Sequence, residues 1–74
     1  MNTQDSPVHC DPDILGGTLV FRGTRVPVKN LLDYLQAGDT VEQFLDAFPS
    51  VSREQIIAVL QLANQVLTEH ARAA

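Results

Sequence analysis

The sequence predicts a mainly α-helical domain, in which a short N-terminal β-hairpin is followed by three helices in a helix-turn-helix-like arrangement. Three observations lead to this fold class. The chain has 74 residues, 45% of them hydrophobic, so it forms a single domain with enough apolar residues for a compact core. Residues 16–28 combine glycines with strand-forming residues. Three apolar patterns with helical spacing come after them.

Residues 16–28 predict the hairpin. The two glycines at 16–17 permit a tight turn, and the β-branched and aromatic residues at 18–21 favour a strand. Residues 23–24 then reverse the chain. Pro27 closes the second short strand, because proline has no N–H to donate to a sheet.

The first helix follows the hairpin directly. Its apolar residues have the i, i+3, i+4, i+7 spacing of one helical face: Val28, Leu31, Leu32 and Leu35. Gly38 stands where a glycine commonly ends a helix.

The second and third helices each begin with a predicted capping box, formed by Thr40 with Gln43 and by Ser52 with Gln55. Pro49 ends the second helix. Its apolar residues repeat the same template: Val41, Phe44, Leu45 and Phe48. The third helix is predicted to run to His70, with one main apolar stripe: Ile56, Leu60, Ala63 and Leu67.

The third helix has more apolar surface than a surface helix needs. Val59, Leu62 and Val66 lie beside the main stripe, and Ile57 lies on its other flank. We therefore predict a homodimer interface or a partner-docking surface at Val59, Leu62 and Val66. In the alternative interpretation, the first helix and the hairpin cover the whole arc.

The chain divides into residues 1–10, a flexible N-terminus or short strand, residues 11–70, the hairpin and trihelical domain, and residues 71–74, a tail. Residues 1–6 are expected to fray. No apolar run approaches the roughly 20 residues that cross a membrane, and the N-terminus has no secretory pattern. With a single cysteine as well, the chain is expected to be cytoplasmic.

No residue pattern points to an enzyme, a cofactor or a metal site. His9 and Cys10 are adjacent and would point to opposite faces of an extended segment, and only the distant His70 could complete a zinc site. We expect Cys10 to be buried and His9 to be exposed. The glycines precede a strand rather than a helix, which excludes a phosphate-binding loop, and no Gly-x-Ser-x-Gly motif is present.

The net charge of −4 argues against a simple DNA-binding protein and suits a basic protein partner. Arg22, Arg25 and Lys29 nevertheless form a local basic patch. The two arginines are candidates for contacts with phosphate or with acidic groups of a partner. The alternative is intramolecular pairing with Asp11, Asp13 or Asp33. In a helix-turn-helix, the outward residues of the third helix would include two more candidates: Arg53 and Gln61.

Three segments of the sequence carry a family resemblance. Residues 16–28, with their Arg-Gly-Thr-Arg-Val-Pro-Val sequence, residues 40–43 and residues 48–56 resemble the bacterial and archaeal domain-of-unknown-function family 433. The resemblance covers about residues 11–67. It implies a compact helix-turn-helix-type domain and a VapB-like antitoxin encoded beside a PIN-like ribonuclease toxin.

Three functions therefore stand as hypotheses. The first is an antitoxin that binds a PIN-like toxin, with binding to its own operator DNA left open. The others are a stand-alone helix-turn-helix transcription regulator and a protein-interaction module without nucleic-acid binding. Many antitoxins wrap the toxin with a long tail, but only residues 68–74 follow the last apolar stripe. Toxin contact would therefore use the folded surface.

Overall fold

The computed structural model describes residues 6–73. It confirms the predicted fold class, a short antiparallel hairpin followed by three helices. The elements are β1 (Val8–His9), β2 (Val20–Phe21), α1 (Val28–Gln36), α2 (Val41–Ala47) and α3 (Arg53–Ala73). The predicted fraying concerns mainly residues 1–5, which lie outside the described residues.

The strand pairing differs from the prediction. β2 pairs antiparallel with β1, so that Val8 is opposite Phe21 and His9 is opposite Val20. The predicted reversal after β2 is present, since the Thr24 amide donates to the Phe21 carbonyl at 3.0 Å. The returning chain, however, forms only a single bridge, between Val20 and Pro27. Because a prolyl nitrogen cannot continue the ladder, the full partner strand comes from upstream instead.

The glycines before β2 allow the backbone to form a turn with positive φ angles. Residues 15–17 form one turn of 3-10 helix in which φ is +50° at Leu15, +66° at Gly16 and +91° at Gly17. These are values that glycine adopts readily and other residues resist. This turn connects the two strands of the hairpin.

Both predicted capping boxes are present. At α2, the Gln43 amide donates to the Thr40 hydroxyl at 3.1 Å, and the Thr40 amide donates to the Gln43 side chain at 2.7 Å. At α3, the corresponding bonds between Ser52 and Gln55 measure 3.0 and 3.1 Å. Gly38, at φ +90°, follows α1 as predicted.

The third helix is longer than predicted. It continues beyond His70 to Ala73, so that residues 71–73 of the predicted tail are helical, while residue 74 lies outside the described residues. All of residues 64–73 are exposed, so this half of the helix extends past the core.

The core lies where α1, α2 and the start of α3 close over β2. Its buried side chains are Val20, Phe21, Val28, Leu31, Phe44, Val51, Ile56 and Val59. Phe44 is at the centre of an aromatic cluster, with ring centroids 5.9 Å from Phe21, 5.4 Å from Tyr34 and 4.8 Å from Phe48. Such pairs add to the free energy of burial.

Two burial predictions were wrong. Leu60 and Leu67, placed in the core stripe by the sequence, are exposed, whereas Val59 is buried. The apolar face of α3 is wide, so either edge of that face could pack against the core. In the structure, the edge that carries Val59 packs against the core. Cys10 is exposed rather than buried, because the chain leaves β1 after His9 and enters a turn, and His9 is half-buried rather than exposed.

Candidate functional site

The first candidate site is a groove between the second half of α3 and the hairpin–α1 side of the domain. Its volume is about 390 Å³, and the described residues that line it have no polar side chain. We call it the apolar groove, and its lining residues are Val8, Leu19, Val28, Leu32, Val59, Leu62, Ala63, Val66 and Leu67. Several of them expose large aliphatic side chains, which marks the groove as a contact surface.

The three predicted interface residues lie in a row along the apolar groove. Val59 is buried, Leu62 is half-buried and Val66 is 55% exposed. The hairpin and α1 therefore cover the apolar face of α3 near the start of the helix. They leave the same face exposed near the end of the helix. Leu67, beside Val66, is 66% exposed.

The second candidate site is an open cleft of about 800 Å³ at the turn that follows β2, residues 22–25. We call it the hairpin cleft, and its lining residues are His9, Ile14, Arg22, Gly23, Thr24, Arg25, Val26 and Ser50. Two arginines and a histidine meet here, and none of the lining residues within the described range 6–73 is acidic. The site thus concentrates positive charge in a chain of net charge −4.

Arg22 is built into the hairpin. Its Nε donates to the Ser6 carbonyl at 2.7 Å, and a terminal nitrogen lies 3.4 Å from the Val8 carbonyl. These bonds fix the segment that leads into β1 against the turn after β2. The Arg22 carbonyl accepts a hydrogen bond from the Gln55 side chain at 2.8 Å. This bond joins the turn after β2 to the start of α3.

Arg25 and Lys29 differ in their surroundings. Lys29 forms an exposed ion pair with Asp33 at 2.8 Å, one helical turn along α1. Asp33 is thus paired with Lys29 rather than with an arginine of the hairpin. Arg25 is exposed, and within residues 6–73 it makes no hydrogen bond or ion pair.

Arg53, the first residue of α3, forms an exposed ion pair with Glu42 of α2. The hydrogen bond from the Arg53 guanidinium, helped by backbone hydrogen bonding and by the positive charge itself, lowers the pKa of Glu42 below its usual range. Gln61 is exposed farther along α3. The predicted basic residues are therefore divided, since only Arg22 and Arg25 share the hairpin cleft.

Several residues of these two sites were not predicted from the sequence. Leu19 and Leu32 complete the apolar groove, and Ile14 and Ser50 complete the hairpin cleft. A signal was available for Leu32, which has the helical spacing but lies on the edge of the apolar face of α1. No local pattern marks Ile14 or Ser50, which meet the turn only in three dimensions.

Residues 6–73 contain no group of three or more histidine, cysteine or acidic residues placed to hold a metal ion. His9 lies 3.8 Å from Asp11 and has no third potential ligand in such a group. Over the same residues, no helix is both long enough and apolar enough to cross a membrane.

Comparison with known proteins gave one curated relative and one solved structure. The uncharacterized protein y4eO of Sinorhizobium fredii is 53% identical over 49 residues, which are 66% of this chain and 22% of that protein. The chain thus matches less than a quarter of the relative's length. The crystal structure of a DUF433 member from Anabaena variabilis superposes with a TM-score of 0.70 at 27% identity. The superposition covers 95% of this chain and 69% of that one.

The family model decides the assignment. The model described as a protein of unknown function, DUF433, matches residues 8–63, which extend from β1 to the middle of α3. This range includes the hairpin, both capping boxes and most of the core. The chain therefore belongs to domain-of-unknown-function family 433.

Proposed function

We propose that this protein is an antitoxin-like, protein-binding component of a toxin–antitoxin pair, which acts in the cytoplasm as a homodimer and binds a PIN-like ribonuclease. It acts by binding and not by catalysis. One observation carries the proposal, namely the apolar groove beside a helix whose second half extends past the core. The class of partner is the one that the resemblance to family 433 implies, since that resemblance suggests a VapB-like antitoxin.

The apolar groove suits a second copy of the chain. Its lining has no charged or polar side chain within residues 6–73, and the α3 wall of the groove is most exposed at Val66 and Leu67. The same apolar surface of two copies can therefore meet across a two-fold axis, where each copy presents one patch to the other. An interface without charge also avoids repulsion between two acidic chains.

The state of the basic residues disfavours DNA as the main partner. Lys29 and Arg53 are each paired with a carboxylate, and Arg22 holds backbone carbonyls. Phosphate contacts would have to compete with these interactions, in a chain that is acidic overall. Binding to operator DNA is therefore secondary in this proposal and depends on the toxin partner.

Light scattering at micromolar concentration tests the dimer. To prevent covalent pairing through the exposed Cys10, all forms carry Cys10→Ser. We expect the Cys10→Ser protein to give twice the 8.1 kDa mass of one chain. Val66→Glu, which places a charge in the apolar groove at an already exposed position, should give the single-chain mass. Thr68→Glu, an exposed change outside the groove lining, should leave the dimer intact.

A single-chain mass for the Cys10→Ser protein, or a dimer for Val66→Glu, would show that the apolar groove is not the dimer interface.

The toxin assignment is tested separately. The chain is co-expressed with the product of the adjacent gene, and RNA cleavage by that product is measured. Cleavage that the chain does not inhibit would reject the antitoxin role, whatever the oligomeric state.

The stand-alone regulator is the second candidate, and the succession of α2, residues 48–52 and α3 favours it. It is tested by titrating the chain alone with DNA from upstream of its own gene. We expect binding no tighter than the micromolar range that is typical of non-specific contact, about 10⁻⁶ M or weaker at physiological salt. Nanomolar binding without a partner would favour the regulator over the antitoxin.

A further inference from the structure

The hairpin cleft has features of a small-molecule site that the proposed function does not use. Its volume of about 800 Å³ lies within the usual range of ligand pockets. Among residues 6–73, it shares no lining residue with the apolar groove. Its walls combine apolar side chains, Ile14 and Val26, with a few polar groups, the composition that such pockets typically have.

The frame of the hairpin cleft is held in place. Thr24 closes the turn, since its hydroxyl donates to the Phe21 carbonyl at 2.8 Å and accepts from the Val26 amide at 3.0 Å. Gln55 ties the same turn to α3 through the Arg22 carbonyl. The backbone that carries Arg25 is therefore positioned before any ligand arrives, which lowers the entropy cost of binding.

Arg25 supplies the recognition group. It stands on this fixed turn with an exposed guanidinium that has no hydrogen-bond or ion-pair partner within residues 6–73. Such a group pairs with a carboxylate or a phosphate through two parallel hydrogen bonds. Among residues 6–73, none of the residues that line the cleft is acidic.

We propose that the hairpin cleft binds a small organic oxyanion, whose carboxylate or phosphate group pairs with Arg25 and whose apolar body contacts Ile14 and Val26. Ser50, across the cleft in the connection between α2 and α3, offers a hydroxyl donor. The proposal is independent of toxin binding and of the dimer.

The test is an NMR titration of the full chain with four probes: benzoate, phenyl phosphate, inorganic phosphate and benzyl alcohol. We expect benzoate or phenyl phosphate to shift the amide signals of Ile14, Thr24, Arg25 and Val26. Whichever of the two binds more tightly identifies the preferred oxyanion. Inorganic phosphate lacks the apolar body and benzyl alcohol lacks the charge, so each should bind about tenfold more weakly or worse.

Variants separate the roles of the residues. Arg25→Gln should weaken binding of the aromatic anion by about tenfold or more, the effect of losing a charge-assisted hydrogen bond. Arg72→Gln, an equal loss of charge at an exposed site on α3, should leave binding unchanged. Ile14→Ser should weaken the aromatic anions and leave inorganic phosphate unaffected.

Three results would overturn the proposal. The first is the absence of localised shifts with both aromatic anions at about 10 mM, a concentration at which even a millimolar ligand saturates. The second is Arg25→Gln binding as tightly as the unmodified chain. The third is inorganic phosphate binding as tightly as phenyl phosphate, which would show a surface anion site without an apolar subsite.

Discussion

At the scale of single residues, the two arginines of the turn after β2 differ in their surroundings. The Arg22 guanidinium is used inside the fold, where its Nε bonds the Ser6 carbonyl. Arg25 extends from the same turn into solvent. Substitutions that keep the positive charge should therefore separate a structural arginine from a binding arginine.

Arg22→Lys should lower the free energy of unfolding by about 1–2 kcal/mol, because an ammonium group cannot reproduce the bond from Nε to the Ser6 carbonyl. Arg25→Lys is the matched control and should change the stability by no more than about 0.5 kcal/mol, as is usual for surface positions. Urea denaturation followed by circular dichroism measures both variants. Equal losses in the two would contradict the division of tasks.

The ion pair between Arg53 and Glu42 has a consequence for titration. Since Arg53 lowers the pKa of Glu42, Arg53→Gln should return that pKa upward toward its ordinary value. The folded pKa is the lower one, so the pair stabilises the fold above the ordinary carboxyl pKa. This contribution is lost as the pH falls through the folded pKa. Carbon-detected NMR titration of the Glu42 carboxyl checks the shift, and an unchanged pKa in Arg53→Gln would refute its assigned cause.

At the scale of elements, the side chains that begin α2 and α3 also differ in what they hold. Gln43 and Gln55 occupy the same position in their capping boxes. Gln55 alone of the two also donates to the Arg22 carbonyl, which links α3 to the hairpin across 33 positions of sequence. Gln43 therefore only caps its helix, whereas Gln55 caps its helix and also makes a tertiary hydrogen bond. Comparing the two residues isolates the contribution of that bond.

Gln55→Ala should cost more stability than Gln43→Ala, by about 1 kcal/mol, the net contribution of one further hydrogen bond. Thermal or urea unfolding of both variants gives the difference. If the two losses were equal, the bond to Arg22 would contribute nothing to stability.

The sequence predicted the helices well because their signals are local. The capping residues Thr40 and Ser52 and the helix-ending Gly38 act within one turn of chain. The strand partner of β2 was not predicted, because two-residue strands such as Val8–His9 carry no periodicity. The side of α3 that faces the core, Val59 rather than Leu60, depends on how the helices pack.

The candidate sites were predicted in part for the same reason. The excess of apolar residues on α3 was visible in the sequence, and the apolar groove contains the three residues named from it. The hairpin cleft was visible only as two arginines, since Ile14 and Ser50 reach it through the fold. Charge counting also missed that Lys29 and Arg53 are already paired with carboxylates.

At the scale of the whole molecule, the two candidate surfaces suit different classes of binding partner. The apolar groove lies beside α3 and suits another protein, whereas the hairpin cleft is polar enough to select a charged small molecule. Within residues 6–73 they have no lining residue in common, so in our proposals occupancy of one site does not block the other. A single domain of 74 residues thus has room for a partner and a ligand.

The length of α3 has a consequence for local unfolding of the helix. Its 21 residues are buried only at Ile56 and Val59, so the last ten lack the packing that makes a helix cooperative with the rest of the fold. In the separated chain, the amides of residues 68–73 should exchange with solvent through local fraying, and those near Ile56 only through global unfolding. Hydrogen-exchange mass spectrometry at low and high protein concentration measures this gradient, and uniform protection along α3 in the dilute chain would contradict it.

Because short helices are marginal in water, a partner that seats on this half of α3 must also supply the free energy that holds its last turns in helical form. The measured affinity will then be lower than the contact area suggests, since part of the interaction is spent on ordering. Stabilising substitutions at exposed positions of those turns, such as Thr68→Ala, should therefore tighten binding without touching the partner.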